Sequence, residues 1–121
     1  MATPNLVNVA TITPYTKMGN LGDTNRTTMV DVTAEYAAKV DTILVANVDG
    51  TNACDVTLEV SNDNGSTYYK IASTISIPAD STLSFLDATG PLWLDETDIL
   101  AVTAGTASDL AWNVSYTEMA D

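Results

Sequence analysis

Apolar and polar residues alternate with a period of two along much of the chain, and Gly, Pro, Asn and Asp interrupt the alternation at intervals of roughly 8 to 12 residues. The clearest stretch runs from Val40 to Val60. Two β-branched runs, Ile43-Leu44-Val45-Ala46 and Val56-Thr57-Leu58-Glu59-Val60, flank the turn-forming Asp49-Gly50-Thr51-Asn52, a pattern that predicts two paired strands. In the second run Cys54, Val56, Leu58 and Val60 share one face, and Asp55, Thr57, Glu59 and Ser61 share the other, so one face is core and the other is wet. The first run is apolar at consecutive positions, which suits a central strand covered on both sides. Asn47, Asp49 and Gly50 after it argue for a strand over a short buried helix.

Downstream, Asn64-Gly65 is the strongest hairpin signal, because that pair supplies the positive φ values of a type I′ turn. Strands are expected at Thr67–Ile71, at Thr74–Ile77 with Ile75 and Ile77 inward, and at Thr82–Phe85 with Leu83 and Phe85 inward. Turns at Pro78-Ala79-Asp80 and Asp87–Pro91 separate them from the short Leu92-Trp93-Leu94, and a corner at Asp95–Asp98 precedes Ile99–Val102. The last strand places Leu110, Trp112, Val114 and Tyr116 on one face. Upstream the texture differs: a strand at Leu6–Ile12 bounded by Pro4 and Pro14, a polar loop or extended arm over Tyr15–Thr28, a short strand at Met29–Val32, and at Thr33–Ala38 a turn or one helical coil, too short to be an independent helix. The expected fold is all-β, an antiparallel two-sheet sandwich, jelly-roll-like or immunoglobulin-like, with an extended N-terminal segment. Residues 1–37 form that arm and residues 38–121 the sandwich core, within one domain of 121 residues.

Charge changes the picture more than composition does. Sixteen acidic residues against four basic ones give a formal net charge of −12. Such a surface repels phosphate backbones and anionic lipid, so neither nucleic acid nor membrane is an expected partner. MATPNLVNVATITP has no basic stretch and no continuous apolar run, so no secretory signal is expected, and no segment approaches the length of a membrane helix. A single cysteine, Cys54, makes no internal disulfide and falls on the inward face as a small apolar filler.

Catalytic chemistry has little to work with. The chain contains no histidine, which excludes Ser-His-Asp and Cys-His nucleophilic sites and histidine-ligated metals. Gly19-Asn20-Leu21-Gly22 is followed by no lysine and sits in a polar stretch, unlike a phosphate-binding loop. Two oxygen clusters invite calcium, Asn62-Asp63-Asn64-Gly65 and Asp95-Glu96-Asp98, but a turn and a solvated corner account for them. We therefore expect no enzyme, no cofactor and no metal. Among the aromatics, Trp112 and Tyr116 read as packing. If Leu92-Trp93-Leu94 is a strand, either Trp93 or both leucines are exposed, and of Tyr68 and Tyr69 one faces in and the other a partner.

Four phrases, PNLVNVATIT, ILVANVDGTNACDVTLEVSNDNGSTYYKIASTISIPADSTL, LWLDETDILAV and WNVSYTEM, taken in that order across nearly the whole chain, resemble small virion structural proteins of tailed bacteriophages, particularly T4-like phages of marine bacteria. The resemblance implies a β-sandwich virion protein made in the host cytoplasm, most readily a capsid decoration or cement protein that binds the major capsid protein or another virion protein and forms a homo-oligomer, a trimer among the possibilities. Neck, collar or tail accessory proteins are an alternative placement, and a carbohydrate-binding or adhesin module on the same fold, with Trp93 or a tyrosine as sugar platform, is an alternative function. The candidate interface residues are Leu6, Val7, Val9 and Ile12 in the arm, together with Trp93 and Tyr69. The strand at Leu6–Ile12 either adds to the sheet edge of another subunit or closes its own sandwich.

Overall fold

The computed structural model describes residues 7–86 and 90–121. Nine strands and no helix make up the described chain: β1 (Thr11–Asn20), β2 (Thr27–Asp31), β3 (Ala37–Asn47), β4 (Cys54–Ser61), β5 (Tyr69–Ile77), β6 (Thr82–Leu86), β7 (Leu92–Leu94), β8 (Ile99–Ala104) and β9 (Leu110–Ala120). They divide between two antiparallel sheets. Sheet A has the order β1-β9-β3-β6, with β7 pairing the same edge of β3 beyond β6, and sheet B has the order β2-β8-β4-β5.

The pairing is nested. β4 pairs β5, β3 pairs β6 and β7, β2 pairs β8, and β1 pairs β9, so the described strands form one long hairpin whose two arms run side by side. Two further ladders, β3 with β9 and β4 with β8, close this ribbon into two layers. That wound hairpin is the jelly-roll arrangement, which decides between the two sandwich types expected from the sequence.

Glu59 and Ser61, expected in water, are buried, paired there by Arg26 and the Asp63 carboxylate, and Val60 is only half-buried, so the alternation expected of β4 holds at Cys54, Val56 and Leu58, buried between the sheets. From sheet A, Val40, Ile43, Val45, Leu110, Val114 and Tyr116 meet them, joined by Leu100 and Val102 of β8. Each such aliphatic side chain contributes about 1.5–3 kcal/mol on burial, and this layer holds the sandwich together.

The pairing of β3 with β4 is a correction to the sequence reading. The two strands lie in opposite sheets. The expected turn at Asp49–Asn52 would have returned the chain beside itself, whereas here residues 48–53 cross between layers, held by local polar groups. Asn47 Nδ2 donates to the carbonyls of Asn52 and Ile77, both at 2.9 Å, and Asp49 Oδ1 accepts from the Thr51 and Asn52 amides. The turn chemistry at Asp49 serves a crossing between layers.

The second correction concerns the N-terminal part. The first strand spans Thr11–Asn20, running through Pro14 and through residues expected to loop. Its ten-residue register with β9 pairs Pro14 with Thr117, and a proline without an N–H is tolerated because β1 is an edge. No period is visible in this stretch because most of both faces is exposed. Gly19 lies where an added Cβ would come within 3.2 Å of the Trp112 indole, so the smallest side chain lets that ring lie over the edge strand. Leu6 and residues 87–89 of the expected Asp87–Pro91 turn fall outside the described residues.

Other corrections are smaller. Thr67–Ile71 and Thr74–Ile77 are one strand, β5, kept continuous by bulges opposite Val56–Glu59, and Thr74 takes a positive φ of 47°. The Asn64-Gly65 turn is present, with φ of 59° and 91° and a Ser66 amide bonded to the Asp63 carbonyl, but it tips a longer connection from Ser61 to Tyr69. Thr33–Tyr36 is a turn, closed by the Tyr36 amide on the Thr33 carbonyl at 3.0 Å.

Candidate functional site

The outward face of sheet A is built from alternate residues of its strands. Cross-strand partners share a face, so the register defines rows. One row is Pro14, Thr117, Lys39 and Trp93; the next is Thr16, Ser115 and Thr42; then Met18, Asn113, Leu44 and Ser84; and last Asn20, Ala111, Ala46 and Thr82. Ile12, Met119 and Ala37 precede them. The last two rows enclose an open, mainly apolar groove of about 490 Å³ lined by Met18, Leu44, Ala46 and Ala111 among others.

Large apolar side chains stand in water on this face: Met18 is 66% exposed, Leu44 38% and Trp93 51%. Leu44 and Ala46 are the outward members of the consecutive apolar run in β3. That run predicted a strand covered on both sides, and within this single chain only the inner side is covered. Among the described residues, formal charge on the face is confined to Lys39 and Asp41, whose Nζ and Oδ1 lie 3.5 Å apart. A bulge between Val40 and Thr42 accommodates Asp41 beside Lys39.

The outward side of sheet B contrasts with it. Arg26 donates two hydrogen bonds of 3.1 Å to the Glu59 carboxylate, and its guanidinium lies 3.7 Å from the centroid of the Tyr68 ring. Glu59 is thereby buried yet fully paired. The edge of this sheet, β5, is nearly bare: Tyr69 is 62% exposed, and Ile71 and Ile75 are exposed with it. Ile75, expected inward, does pair with the buried Val56, but it lies on the outermost strand, where no described strand covers its outer flank.

The carboxylates of the two oxygen clusters are occupied as turn acceptors. Asp98 Oδ2 accepts from the Asp95 amide at 2.9 Å, Asp95 Oδ1 from the Glu96 amide at 2.7 Å, and Glu96 Oε2 from the Glu35 amide at 2.7 Å. Asp63 Oδ1 accepts from the Ser61 hydroxyl and the Thr67 amide, both at 2.8 Å. Burial raises the Asp98 pKa above the usual carboxylate range, against the opposing bond from Asp95. Backbone amides hold Asp49 and Asp63 below it. Among the described residues no group of three or more His, Cys, Asp or Glu is placed to hold a metal ion, and no helix is long and apolar enough to cross a membrane. Cys54 is buried, its Sγ within 3.6 Å of the Asp55 carbonyl.

The residues singled out in the sequence therefore separate. Ile12 and Trp93 share the outward face of sheet A, Tyr69 lies on the β5 edge of sheet B, Val7 is 95% exposed in a turn ahead of β1, and Val9 is half-buried beside it. Trp93, not its leucine neighbours, is the exposed member of its strand: Leu94 is buried and Leu92 half-buried. Sequence reasoning missed Met18, Leu44, Ala46 and Ala111. Their signal was present in the consecutive apolar positions of β3, which spoke for a cover on both sides.

No protein-family model matches the chain, and no curated protein matches it. Among solved structures, two of a pentameric capsid protein isolated from metagenomic phage sequences are similar, at 15% identity and a TM-score of 0.40 and at 14% and 0.37, each over 96% of this chain. The chain spans 63% of the first of those proteins and 70% of the second. Also similar is the CBM22-1–GH10 portion of xylanase 10B from Clostridium thermocellum, at 12% identity and a TM-score of 0.34 over 95% of this chain and 25% of that one. At these scores the likenesses decide nothing about function.

Proposed function

We propose that the protein is a virion structural protein of a tailed bacteriophage, most specifically a capsid decoration or cement protein that binds the major capsid protein. The observation that carries this reading is the combination of a wound-hairpin jelly roll with large apolar side chains in water and with carboxylates tied into turns. Jelly rolls serve as capsid and lectin domains, and a chain that presents apolar surface without a reactive group is suited to binding. The order of sequence phrases resembling phage virion proteins supports it independently.

The β5 edge is the surface assigned to the capsid protein. It is nine residues long, contains no proline, and carries Tyr69, Ile71 and Ile75 on a strand with one unpaired side. An extended segment of the partner can add there as a further strand. In vitro, purified protein should pellet with particles stripped of it, and the triple substitution Tyr69→Ser, Ile71→Asp, Ile75→Asp should abolish pelleting while leaving the circular dichroism spectrum unchanged. Wild-type protein that fails to pellet with such particles refutes decoration.

Trp93 favours a second reading, a carbohydrate-binding module with its half-exposed indole as sugar platform. Quenching of Trp93 fluorescence by oligosaccharide, absent in Trp93→Ala, would select this reading over decoration.

A further inference from the structure

We infer that the outward face of sheet A is the surface on which a second copy of this chain packs, face to face about a two-fold axis that runs across the strands. Charge favours a like partner. Among the described residues the face carries Lys39 and Asp41 alone, which neutralise each other, so the excess of acidic side chains described lies elsewhere on the molecule. A basic partner would be drawn to the acid-rich remainder. A partner of like charge can approach closely only where charge is absent, and a second copy is a partner of like charge by construction.

Area points the same way. Strands of ten or eleven residues rise ~3.3 Å per residue, and four strand positions at ~4.8 Å make a face of about 35 by 19 Å, on the order of 600 Å² per partner. Two such faces together reach about 1,200 Å², the lower bound for a specific interface. Sheets pack in this way inside sandwiches, so the contact needs no rearrangement of either copy.

The face is also self-complementary. Trp93 of β7 lies beside Lys39 near one end of β3, and Leu44 and Ala46 lie toward the other end. A two-fold axis across the strands near Ser115 exchanges those ends, so each Trp93 meets Leu44 and Ser84 of the other copy. An isologous contact demands that reciprocity, residue i on j and j on i. The consecutive apolar run of β3 is then covered on both sides, as its sequence requires. This inference is independent of the capsid reading, which uses the β5 edge.

Sedimentation equilibrium on the full chain tests it, from about 1 to 100 μM, the range of transient to stable dimers. The expected species at the upper end has twice the 12.8 kDa of one chain. Trp93→Ala should weaken association by about tenfold or more, as loss of a buried aromatic anchor does. Ser115→Asp and Ser115→Lys should each be monomeric, since like charges then face each other across the axis, while an equimolar mixture of the two should dimerise. Recovery in the mixture separates a repelled interface from a misfolded chain. A monomer at every concentration, a trimer or other odd-numbered ring, or a dimer indifferent to both Ser115 substitutions overturns the proposal.

Discussion

The ring of Tyr15 stacks on that of Tyr116, centroids 5.2 Å apart and planes inclined by 25°, and this contact fastens the edge strand β1 to β9. Lys17 Nζ lies 5.5 and 5.7 Å from the two ring centroids, and hydrogen bonding to Tyr116 raises its pKa, so it remains a cation there. Tyr15→Ala is expected to cost about 1–2 kcal/mol, from lost stacking and lost apolar cover. Hydrogen exchange should locate the effect: amides of residues 11–20 exchange faster while those of β8 do not change. Uniform acceleration across both sheets would mean that β1 is not held as a separate edge.

Glu59 is buried and depends on Arg26 for its pairing, although the Arg26 side chain is 44% exposed. Arg26→Ala should destabilise by about 1–2 kcal/mol, less than for a fully buried pair because water reaches the vacated side. Adding Glu59→Gln should recover part of that loss, since the unpaired charge is then gone. Urea unfolding midpoints of the two variants measure it, and a double variant no more stable than Arg26→Ala contradicts the assignment.

Acid dependence follows from carboxyl groups of opposite sign. Asp49 and Asp63 have folded-state pKa values lowered by backbone amides, so their contribution is present above the unfolded value of about 3.9 and is lost as pH falls through the folded values. Asp98 is raised by burial, so its contribution is present below about pH 3.9 and is lost as pH rises through its folded value. Asp98→Asn, which keeps the oxygen that accepts from the Asp95 amide, should therefore raise the melting temperature at pH 7 and leave it nearly unchanged at pH 3. Asp63→Ala should lower it at pH 7 and progressively less toward pH 2. Equal shifts at both pH values would remove titration from the explanation.

Backbone strain is stored at Thr74, a β-branched residue at φ 47°. Thr74→Gly should stabilise the protein by about 0.5–1 kcal/mol, the relief of an unfavourable left-handed conformation offset by the flexibility of glycine. Gly65→Ala, at φ 91°, should do the reverse by a similar or larger amount. Thermal unfolding of both variants checks the pair of signs.

How far the sequence carried follows from what each residue had to satisfy. The two-layer β-architecture was legible because Cys54, Val56 and Leu58 of β4, and Leu110, Val114 and Tyr116 of β9, fall at even spacings on the buried face. Partnership was not: Ile43–Ala46 and Val56–Val60 look the same whether they pair with each other or face each other across the core, and the side-chain bonds of Asn47 and Asp49 decide between the two. β1 was illegible for a different reason, since an edge strand with both faces largely exposed has no hydrophobic period to read. Trp93 and Tyr69 stood out as apolar residues out of place and Ile12 as part of the proline-bounded N-terminal strand, and the register alone showed that Ile12 and Trp93 share a sheet face while Tyr69 does not.

A density map of the intact particle, resolved well enough to trace strands, tests the proposed role most directly. The expected result is a jelly roll of nine strands repeated over the outer surface of the head, with β5 laid against the major capsid protein. Particles whose heads contain no such density, or that carry the chain in a few copies at the neck or tail, contradict it.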